Sequence, residues 1–548
     1  MTLANCKTWR RDHPLAIAAP AAVLAVALYA ITLRGTFIWD DRFIAQDDPR
    51  LHDASGWRAY LHAGYRPNAV DNLWRPLTSL TFWAQWRLTG GITWRLHAMN
   101  ILLHAAVSAL VAALAHRLAG ARAGLIAGLL FAAHPLHVEA VAYLVGRAET
   151  LCAAGVVAAL LVMSRRPLTV GRAVGVFACA IVAACGKEQG LLTPVMLAGL
   201  WCLMLRPSMG PATAQERRAI LTLVMLCTWA WAAYVLYRDR ILPWYWDPYF
   251  LDWSINPLAR ATGLDRALMP VALVGRVATL LVFPWRLSPD YGLAVTTPAV
   301  NFRDPHFYLG VAAILLVLTL AARAWRRRDG FALFCGLGLA VAWLPASNVL
   351  RIGTIFGERL TYLPSVFVLM WVARALSRAP TRWLAPGLSI VLVLMSIRTV
   401  TYAARWNDRL TFYERSLAEQ PKSAQLHILV VDELQARARD AHARGAEMEA
   451  RGYLLRSAHV LAHAREVAPA YYKIWTESVE TSHELGELDA AERFLERAED
   501  LEPGAPVVGY WRTRLADEQD RAKRGGTTTA PAIAAPQRGR LPGGAGTR

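Results

Sequence analysis

The stretch PLAIAAPAAVLAVALYAITL, residues 14–33, has no charged residue and is long enough for a helix to cross the apolar core of a membrane. It is longer than the apolar core of a typical signal peptide, and no small-residue cleavage site precedes the polar loop that follows. We therefore expect a retained membrane anchor. The composition agrees, because 55% of the 548 residues are hydrophobic and only 18% are charged, against about 25% charged in soluble domains.

Further apolar runs follow this anchor, so the sequence predicts an all-α polytopic bundle of about eleven spans. The spans lie near residues 14–33, 97–117, 121–136, 150–164, 172–186, 189–205, 218–237, 306–323, 331–346, 361–376 and 384–403. Arginine-rich loops alternate with arginine-poor loops between them. Because short arginine-rich loops stay in the cytoplasm, we expect a cytoplasmic amino terminus and a long first loop, residues 34–95, on the outer side.

The segment 257–287 tests this arrangement. One more crossing here would move the arginine-rich residues 323–328 to the outer side. We therefore predict a re-entrant or broken helical pair with both ends outside, which leaves the carboxyl terminus outside as well. Non-helical backbone at membrane depth is tolerated where protein or water covers it, so this segment is expected to line a cavity.

The net charge of +18 is typical of proteins that bind nucleic acid. Here the arginines lie mainly in short loops between spans and in the tail, where they set the topology and attract anionic lipids. Nucleic acid is therefore not expected as a partner.

The chain becomes polar after residue 404, and apolar residues then recur at helical spacing. A tetratricopeptide-like unit fits residues 472–505, and Pro469 precedes Pro503 by the 34 residues of this repeat. Small and apolar residues recur in phase in the two units: Gly452, Leu461 and Ala464, then Gly486, Leu495 and Ala498. We predict a membrane domain over 1–404, an α-solenoid of helical repeats over 405–520 and a disordered basic tail over 521–548.

Asp40 and Asp41 follow the first span in the sequence GTFIWDDRFI. Adjacent carboxylates near a membrane surface can deprotonate a hydroxyl group or hold a divalent cation, but a solvated acidic pair at a helix end explains them equally well. Arg75 stands at a predicted helix entry near the membrane. Its guanidinium can bind a lipid phosphate, or it can simply extend toward the headgroups.

Further polar side chains lie close to the membrane on the same predicted outer side. His97, Asn100 and His104 share one face of the second span, where hydrogen bonding between helices competes with cavity lining as their role. His134, His137 and Glu139 suggest a metal site, but no third nitrogen ligand is evident. The remaining candidates for the mouth of a cavity are Arg147, Glu149, Lys187, Glu188, Asp290, Tyr291, Glu358 and Arg359. This convergence of charge predicts a site for an anionic, membrane-borne substrate.

Several long motifs occur in one order along the chain: WDD, WRPLTSLTF, LHAMNILLHA, HPLHVEAVAYLVGRAETL, GKEQGLLTP, LSPDYG and ERLTYLPS. With them the chain resembles the transmembrane and tetratricopeptide-repeat O-mannosyltransferases and their bacterial relatives over about residues 34–500. The resemblance implies the C-type glycosyltransferase fold. It also implies sugar transfer from a polyprenyl-phosphate donor to a Ser or Thr hydroxyl on the non-cytoplasmic face, with Asp40 and Asp41 as the catalytic pair.

Such a transfer needs a base for the incoming hydroxyl and a cationic clamp for the departing lipid phosphate. The clamp candidates are Arg75, Arg147, Lys187 and Arg359. The chain has two or three repeats where animal members have many more, and its loops are compact. We therefore expect a bacterial inner-membrane protein with its site and carboxyl terminus in the periplasm.

Two other functions compete with transfer to protein. The first is a non-catalytic membrane scaffold whose repeats bind partners, and the second is a transferase of the same fold that modifies a lipid or a cell-wall glycan. Charged residues on the outer side favour a transferase, and stacked helical repeats favour a polypeptide acceptor. A requirement for a divalent cation does not follow from the sequence.

Overall fold

The computed structural model describes residues 14–66, 73–205, 213–242, 253–296 and 304–523, and all regular elements in these ranges are helical, as predicted. The membrane part contains α1 (Pro14–Tyr29), α2 (Pro49–His52), α3 (Gly56–His62), α4 (Pro76–Thr89), α5 (Thr93–Ala119), α6 (Ala121–Ala133), α7 (Val138–Ala142), α8 (Arg147–Met163), α9 (Val170–Gly186), α10 (Thr193–Gly199), α11 (Ala214–Ile241), α12 (Gly263–Val282), α13 (Pro305–Arg326), α14 (Gly330–Trp343), α15 (Tyr362–Leu376) and α16 (Thr381–Ala403). The remaining helices are α17 (Arg409–Glu419), α18 (Ala424–Ala443), α19 (Glu447–Val467), α20 (Tyr472–Glu484), α21 (Leu488–Leu501) and α22 (Pro506–Lys523).

In the part of the chain that the structure describes, eight helices are long and apolar enough to cross a membrane: Pro14–Arg34, Thr93–Ala119, Leu144–Met163, Glu188–Leu205, Ala214–Ile241, Pro305–Arg326, Glu358–Leu376 and Thr381–Asn407. A bent pair, Ala121–Ala133 with Pro135–Ala142, and two shorter apolar helices, Val170–Gly186 and Gly330–Ala346, coincide with the other three predicted spans. The chain is therefore an integral membrane protein.

The bend of 55° within the bent pair was not predicted. We expected one span over 121–136, but α6 ends at Ala133. Pro135 has no backbone N–H to donate and disfavours helical backbone at His134. Helix α6 therefore ends before it, and the chain changes direction.

The two ends of the membrane bundle differ in their charged contacts. At one end, here called the basic end, arginine-rich loops that lie within the described ranges meet, as the alternating pattern predicts. Arg122 donates to the carbonyl oxygen of Ala379 over 2.8 Å, and Arg374 forms an ion pair of 2.6 Å with Asp329. The opposite end, here called the site end, carries the acidic pair and the helical repeats.

The prediction for 257–287 was a re-entrant segment or a broken helical pair, and the broken pair is wrong, because α12 is continuous for 20 residues through Pro270. Both of its ends nevertheless lie at the site end, as expected. Arg266 near its start donates to the carbonyl oxygen of Asn348, and the carbonyl oxygen of Leu281 near its finish bonds His134 over 3.1 Å. The helix therefore does not carry the chain to the basic end.

A glycine contact fixes α12 against α13. A methyl group at Gly275 would lie 1.9 Å from the carbonyl oxygen of His306, and one at Gly310 would lie 1.9 Å from that of Val271. The two backbones can approach this closely only because both positions lack a side chain.

Helices α17 to α22 pack on their chain neighbours as successive hairpins, with buried small residues where they cross. Leu461 and Ala464 are buried at the same relative positions as Leu495 and Ala498. The two units do not repeat at the turn between their helices. Gly452 lies inside α19, and the turn before α19 contains Gly445 instead. The last helix runs to Lys523, past the predicted start of the tail, and residues 524–548 lie outside the described residues.

The repeats and the bundle share one apolar core at the site end. The Trp406 ring, which follows α16, lies 5.4 Å from the ring of Tyr143 and 4.1 Å from that of Phe412 in α17. The first repeat helices are therefore packed onto the membrane domain.

Candidate active site

Residues 38–41 form the acidic turn, where the chain leaves the first span. Asp41 is completely buried inside it. Its carboxylate accepts hydrogen bonds from the backbone N–H groups of Ile38 (3.3 Å), Leu144 (3.3 Å) and Val145 (3.0 Å). Burial raises the pKa of the Asp41 carboxyl well above its usual value, and the three N–H donors oppose that shift. Asp41 thus joins the turn to the chain at 144–145.

The Asp40 carboxylate has a different environment from that of its neighbour. Its side chain is 15% exposed and forms an ion pair of 2.6 Å with Arg66. The backbone N–H of Asp40 donates to the hydroxyl oxygen of Tyr143 over 2.9 Å. The carboxylates of Asp40 and Asp41 bind different partners, so they do not form a joint ligand pair in this structure. Of the two carboxylates, Asp40 is the one that is partly exposed.

A network of ion pairs lies beside the acidic turn. Glu149 accepts from Lys187 over 2.7 Å and lies 3.7 Å from the guanidinium of Arg359. Arg359 also pairs with Glu139, and its guanidinium carbon lies 5.6 Å from the centre of the Tyr143 ring. The structure therefore brings together residues that are far apart in the chain, and Tyr143 links them to Asp40.

Arg75 belongs to the same end but is held by a different carboxylate. Its Nε and Nη2 atoms donate to Glu188 over 2.9–3.1 Å in a bidentate arrangement. The guanidinium also lies 5.0 Å from the centre of the Tyr65 ring. Only 14% of the Arg75 side chain is exposed, against 23% for Arg359. Arg359 is therefore more accessible to a ligand than Arg75.

Arg147 and Asn100 lie beneath the site rather than in it. Arg147 is completely buried, donates to Asn100 Oδ1 over 2.9 Å and lies 3.9 Å from the centre of the Phe82 ring. Asn100 in turn donates to the carbonyl oxygens of residues 141, 143 and 144. The pair holds the segment that carries Tyr143, and the geometry gives Arg147 no access to a ligand.

The predicted histidines are buried among the helices. Three of them bond within the bundle: His104 to the Tyr362 hydroxyl (2.7 Å), His137 to the Ser365 hydroxyl (2.8 Å) and His134 to the Leu281 carbonyl (3.1 Å). His97 packs against Gly35, where an added methyl would lie 2.6 Å from its Nε2 atom. Within the described ranges, no group of three or more His, Cys, Asp or Glu side chains is placed to hold a metal ion.

Two buried acidic residues, Asp290 and Glu358, hold the segment that follows α12. Glu358 accepts from the backbone N–H of Ser288 (2.6 Å) and from the Tyr291 hydroxyl (2.8 Å). Asp290 accepts from the hydroxyl of Ser423 over 2.6 Å, and Ser423 caps the start of α18. Burial raises the pKa of Asp290 to about 6. Asp290 thus joins the bundle to the repeats, whereas Glu358 binds Ser288 and Tyr291 within the bundle.

Three further residues contact the acidic turn and were not predicted from the sequence: Arg66, Tyr143 and Tyr413, whose hydroxyl accepts from the backbone N–H of Trp39 over 3.0 Å. A local signal existed for Arg66, because the order aromatic–Arg–Pro occurs at Tyr65–Arg66 and again at Trp74–Arg75. The two tyrosines carry no local signal, since their role depends on which backbone groups they meet in the fold.

Comparison with known proteins gives relatives of one kind. No family model matches the chain. It is 25% identical to a protein O-mannosyl-transferase of Caenorhabditis elegans over 435 residues, which covers 74% of this chain and 58% of the relative. It is also 25% identical to protein O-mannosyl-transferase TMTC4 of Homo sapiens over 460 residues, 74% of this chain and 62% of that protein. The chain thus spans about three fifths of the length of these relatives.

Among solved structures, ArnT from Cupriavidus metallidurans bound to undecaprenyl phosphate is 17% identical, with a TM-score of 0.37, over 75% of this chain and 81% of that chain. The resemblance deduced from the motifs is confirmed by the sequence matches. Over about three quarters of its length, the chain is similar in sequence to protein O-mannosyl-transferases, at 25% identity.

Proposed function

We propose that this protein is a membrane glycosyltransferase of the C-type fold. It transfers a sugar from a polyprenyl-phosphate donor to a Ser or Thr hydroxyl of a polypeptide. Mannose is the first sugar to test. The named activity of its relatives supports the class of reaction, and the observation that carries the assignment is the reachable Asp40 carboxylate beside an ion-pair network.

In the proposed reaction, Asp40 is the general base. It takes the proton of the acceptor hydroxyl while the oxygen attacks the anomeric carbon of the sugar. The bond from that carbon to the phosphate oxygen breaks, and polyprenyl phosphate leaves with the bonding electrons. Asp41 holds the turn and does not itself receive the proton, because its carboxylate is fully buried among backbone donors.

Arg359 is the proposed clamp for the departing phosphate. Its guanidinium is planar and can bind phosphate through two parallel hydrogen bonds. Of the two clamp candidates whose guanidinium pairs with a glutamate, Arg75 and Arg359, it is the more exposed. It also lies next to Tyr143, which contacts the backbone of Asp40. Lys187 and Arg75 supply additional positive charge around this position.

We place the site end on the non-cytoplasmic side, in the periplasm of a bacterial inner membrane. The support is the gathering of arginine-rich loops at the opposite end, which the positive-inside rule places in the cytoplasm. Cysteine labelling of intact cells should reach residue 480 from outside. Labelling only after the membrane is opened would reverse this orientation.

The decisive experiment compares Asp40→Asn with the wild type as purified proteins and a defined lipid-linked sugar. We expect transfer to fall by about 10²-fold or more while donor binding and melting temperature stay near the wild-type values. Full activity in Asp40→Asn would remove the assignment of the base. A wild type that transfers sugar to no peptide would favour a scaffold, and transfer to a lipid or glycan acceptor would change the substrate class.

A further inference from the structure

Two tyrosines from distant parts of the chain hold the acidic turn. The backbone N–H of Asp40 donates to the hydroxyl oxygen of Tyr143 over 2.9 Å. The backbone N–H of Trp39 donates to the hydroxyl oxygen of Tyr413 over 3.0 Å, and these two residues are 374 positions apart. Tyr143 belongs to the membrane domain, whereas Tyr413 lies on α17, the first helix of the repeats.

The turn needs such support because of its backbone conformation. Trp39 has a φ angle of 49°, in the left-handed region that residues with a side chain rarely adopt. Conformations of this kind persist where surrounding contacts impose them. Tyr413 is 4% exposed and is fixed within the shared core, so its hydroxyl is a rigid acceptor at this point.

We propose that the repeats are a structural part of the active site and that Tyr413 is a positioning residue for Asp40. By binding the N–H of Trp39, it fixes the turn in the conformation that presents the Asp40 carboxylate. The base is then in place only when α17 is docked on the bundle. This inference rests on the proposed function, and it gives the repeats a role in turnover that is separate from binding an acceptor.

The test is Tyr413→Phe in the full-length protein, which keeps the ring and removes the hydroxyl. We expect kcat to fall about three- to tenfold, as loss of one hydrogen bond predicts, with the KM for the lipid-linked donor unchanged. Tyr510→Phe is the matched control, because the Tyr510 hydroxyl also has a partner, Arg514 at 2.8 Å, but lies on the last helix. Its kcat should equal that of the wild type.

A second comparison separates positioning from general stability. In an Asp40→Asn background, Tyr413→Phe should cause no further loss of the residual rate, because the residue acts through Asp40. If Tyr413 only stabilised the fold, its loss would lower the melting temperature while kcat per folded molecule stayed at the wild-type value. That result would overturn the proposal, and so would an equal further loss in both backgrounds.

Hydrogen exchange gives a readout that needs no activity. Deuterium uptake in a peptide covering residues 36–44 should speed up in Tyr413→Phe and stay unchanged in Tyr510→Phe. Unchanged uptake in Tyr413→Phe would show that the contact does not hold the turn. If the wild type transfers no sugar, the proposed function fails, whereas the exchange result still decides whether the repeats fix residues 38–41.

Discussion

The two ends of the membrane bundle use their cations in opposite ways. At the basic end, several arginines donate to backbone carbonyl oxygens of loops and helix ends, as Arg122 does to Ala379 and Arg166 to Leu205. At the site end, Lys187, Arg75 and Arg359 pair with glutamates within the helices and turns. Carbonyl contacts complete a helix terminus and need no second charged residue. Buried acids are costly to retain, so the cluster of buried glutamates paired with cations at the site end indicates a specialised site there.

The largest expected effect comes from breaking the network at Glu149. Glu149→Gln keeps the shape of the side chain but removes the charge facing Lys187 and Arg359. Because Glu149 and Lys187 are almost fully buried, we expect a loss of about 3–5 kcal/mol in the free energy of unfolding. Denaturation of the wild type and the variant in detergent measures this difference in the free energy of unfolding.

Asp329→Asn is the matched control at the basic end. Its pair with Arg374 is about one quarter exposed on both sides, and the loss should stay under about 1 kcal/mol. Equal losses in Glu149→Gln and Asp329→Asn would mean that the two ends do not differ in the way their contacts suggest.

Asp290 adds a further test of the site end, because this buried carboxyl group is hydrogen-bonded to the hydroxyl of Ser423 rather than paired with a cation. Its raised pKa of about 6 means that folding favours the protonated form. Its contribution to stability is therefore present below about pH 4 and is lost as the pH rises through about 6. The total loss is on the order of 2–3 kcal/mol.

Melting temperatures measured from pH 4.5 to 7.5 test this expectation. Asp290→Asn cannot ionise, so the wild type should lose stability relative to this variant as the pH rises. A constant difference across the range would show that Asp290 does not titrate there.

A comparison of two arginines tests which cation binds the phosphate of the lipid-linked donor. Arg359→Lys should raise the KM for the lipid-linked donor about tenfold, because an ammonium group cannot bind phosphate through a planar fork. Arg75→Lys should instead lower the melting temperature, because it breaks the bidentate contact with Glu188, and should leave the KM near the wild-type value. The reverse pattern would transfer the clamp role to Arg75.

The smallest effect is expected at the basic end. Arg122 lies on the surface, and Arg122→Ala removes one bond to a carbonyl oxygen that water can replace. The free energy of unfolding should change by about 0.5 kcal/mol or less, and transfer should continue at the wild-type rate. A strong loss of transfer in this variant would connect the basic end to catalysis.

The spans were predictable because each is a local property of about 20 successive apolar residues. The predicted helix boundaries were wrong where a proline occurs, because a proline can either end a helix or lie inside one. Pro135 ends a helix, whereas Pro270 lies inside the continuous helix α12. The sequence pattern alone does not distinguish a proline that a helix tolerates from one that ends it.

The candidate site was predictable in composition but not in pairing. The motifs pointed to Asp40, Lys187 and Arg359, and the structure brings them to one end of the bundle. Their partners depend on tertiary contacts, since the glutamate bound by Arg359 lies 220 positions earlier in the chain. For the same reason, nothing in the local sequence separated a reachable Asp40 from a buried Asp41.

The contact between Trp39 and Tyr413 has a consequence for biosynthesis. A ribosome makes the acidic turn early and Tyr413 374 residues later, after the last membrane helix has been made. If Tyr413 fixes the turn, the nascent chain passes through membrane insertion before the Asp40 base is fully positioned. Full activity then begins only when the first repeat helix has been translated and has docked, so a chain interrupted before that point would enter the membrane but transfer sugar more slowly.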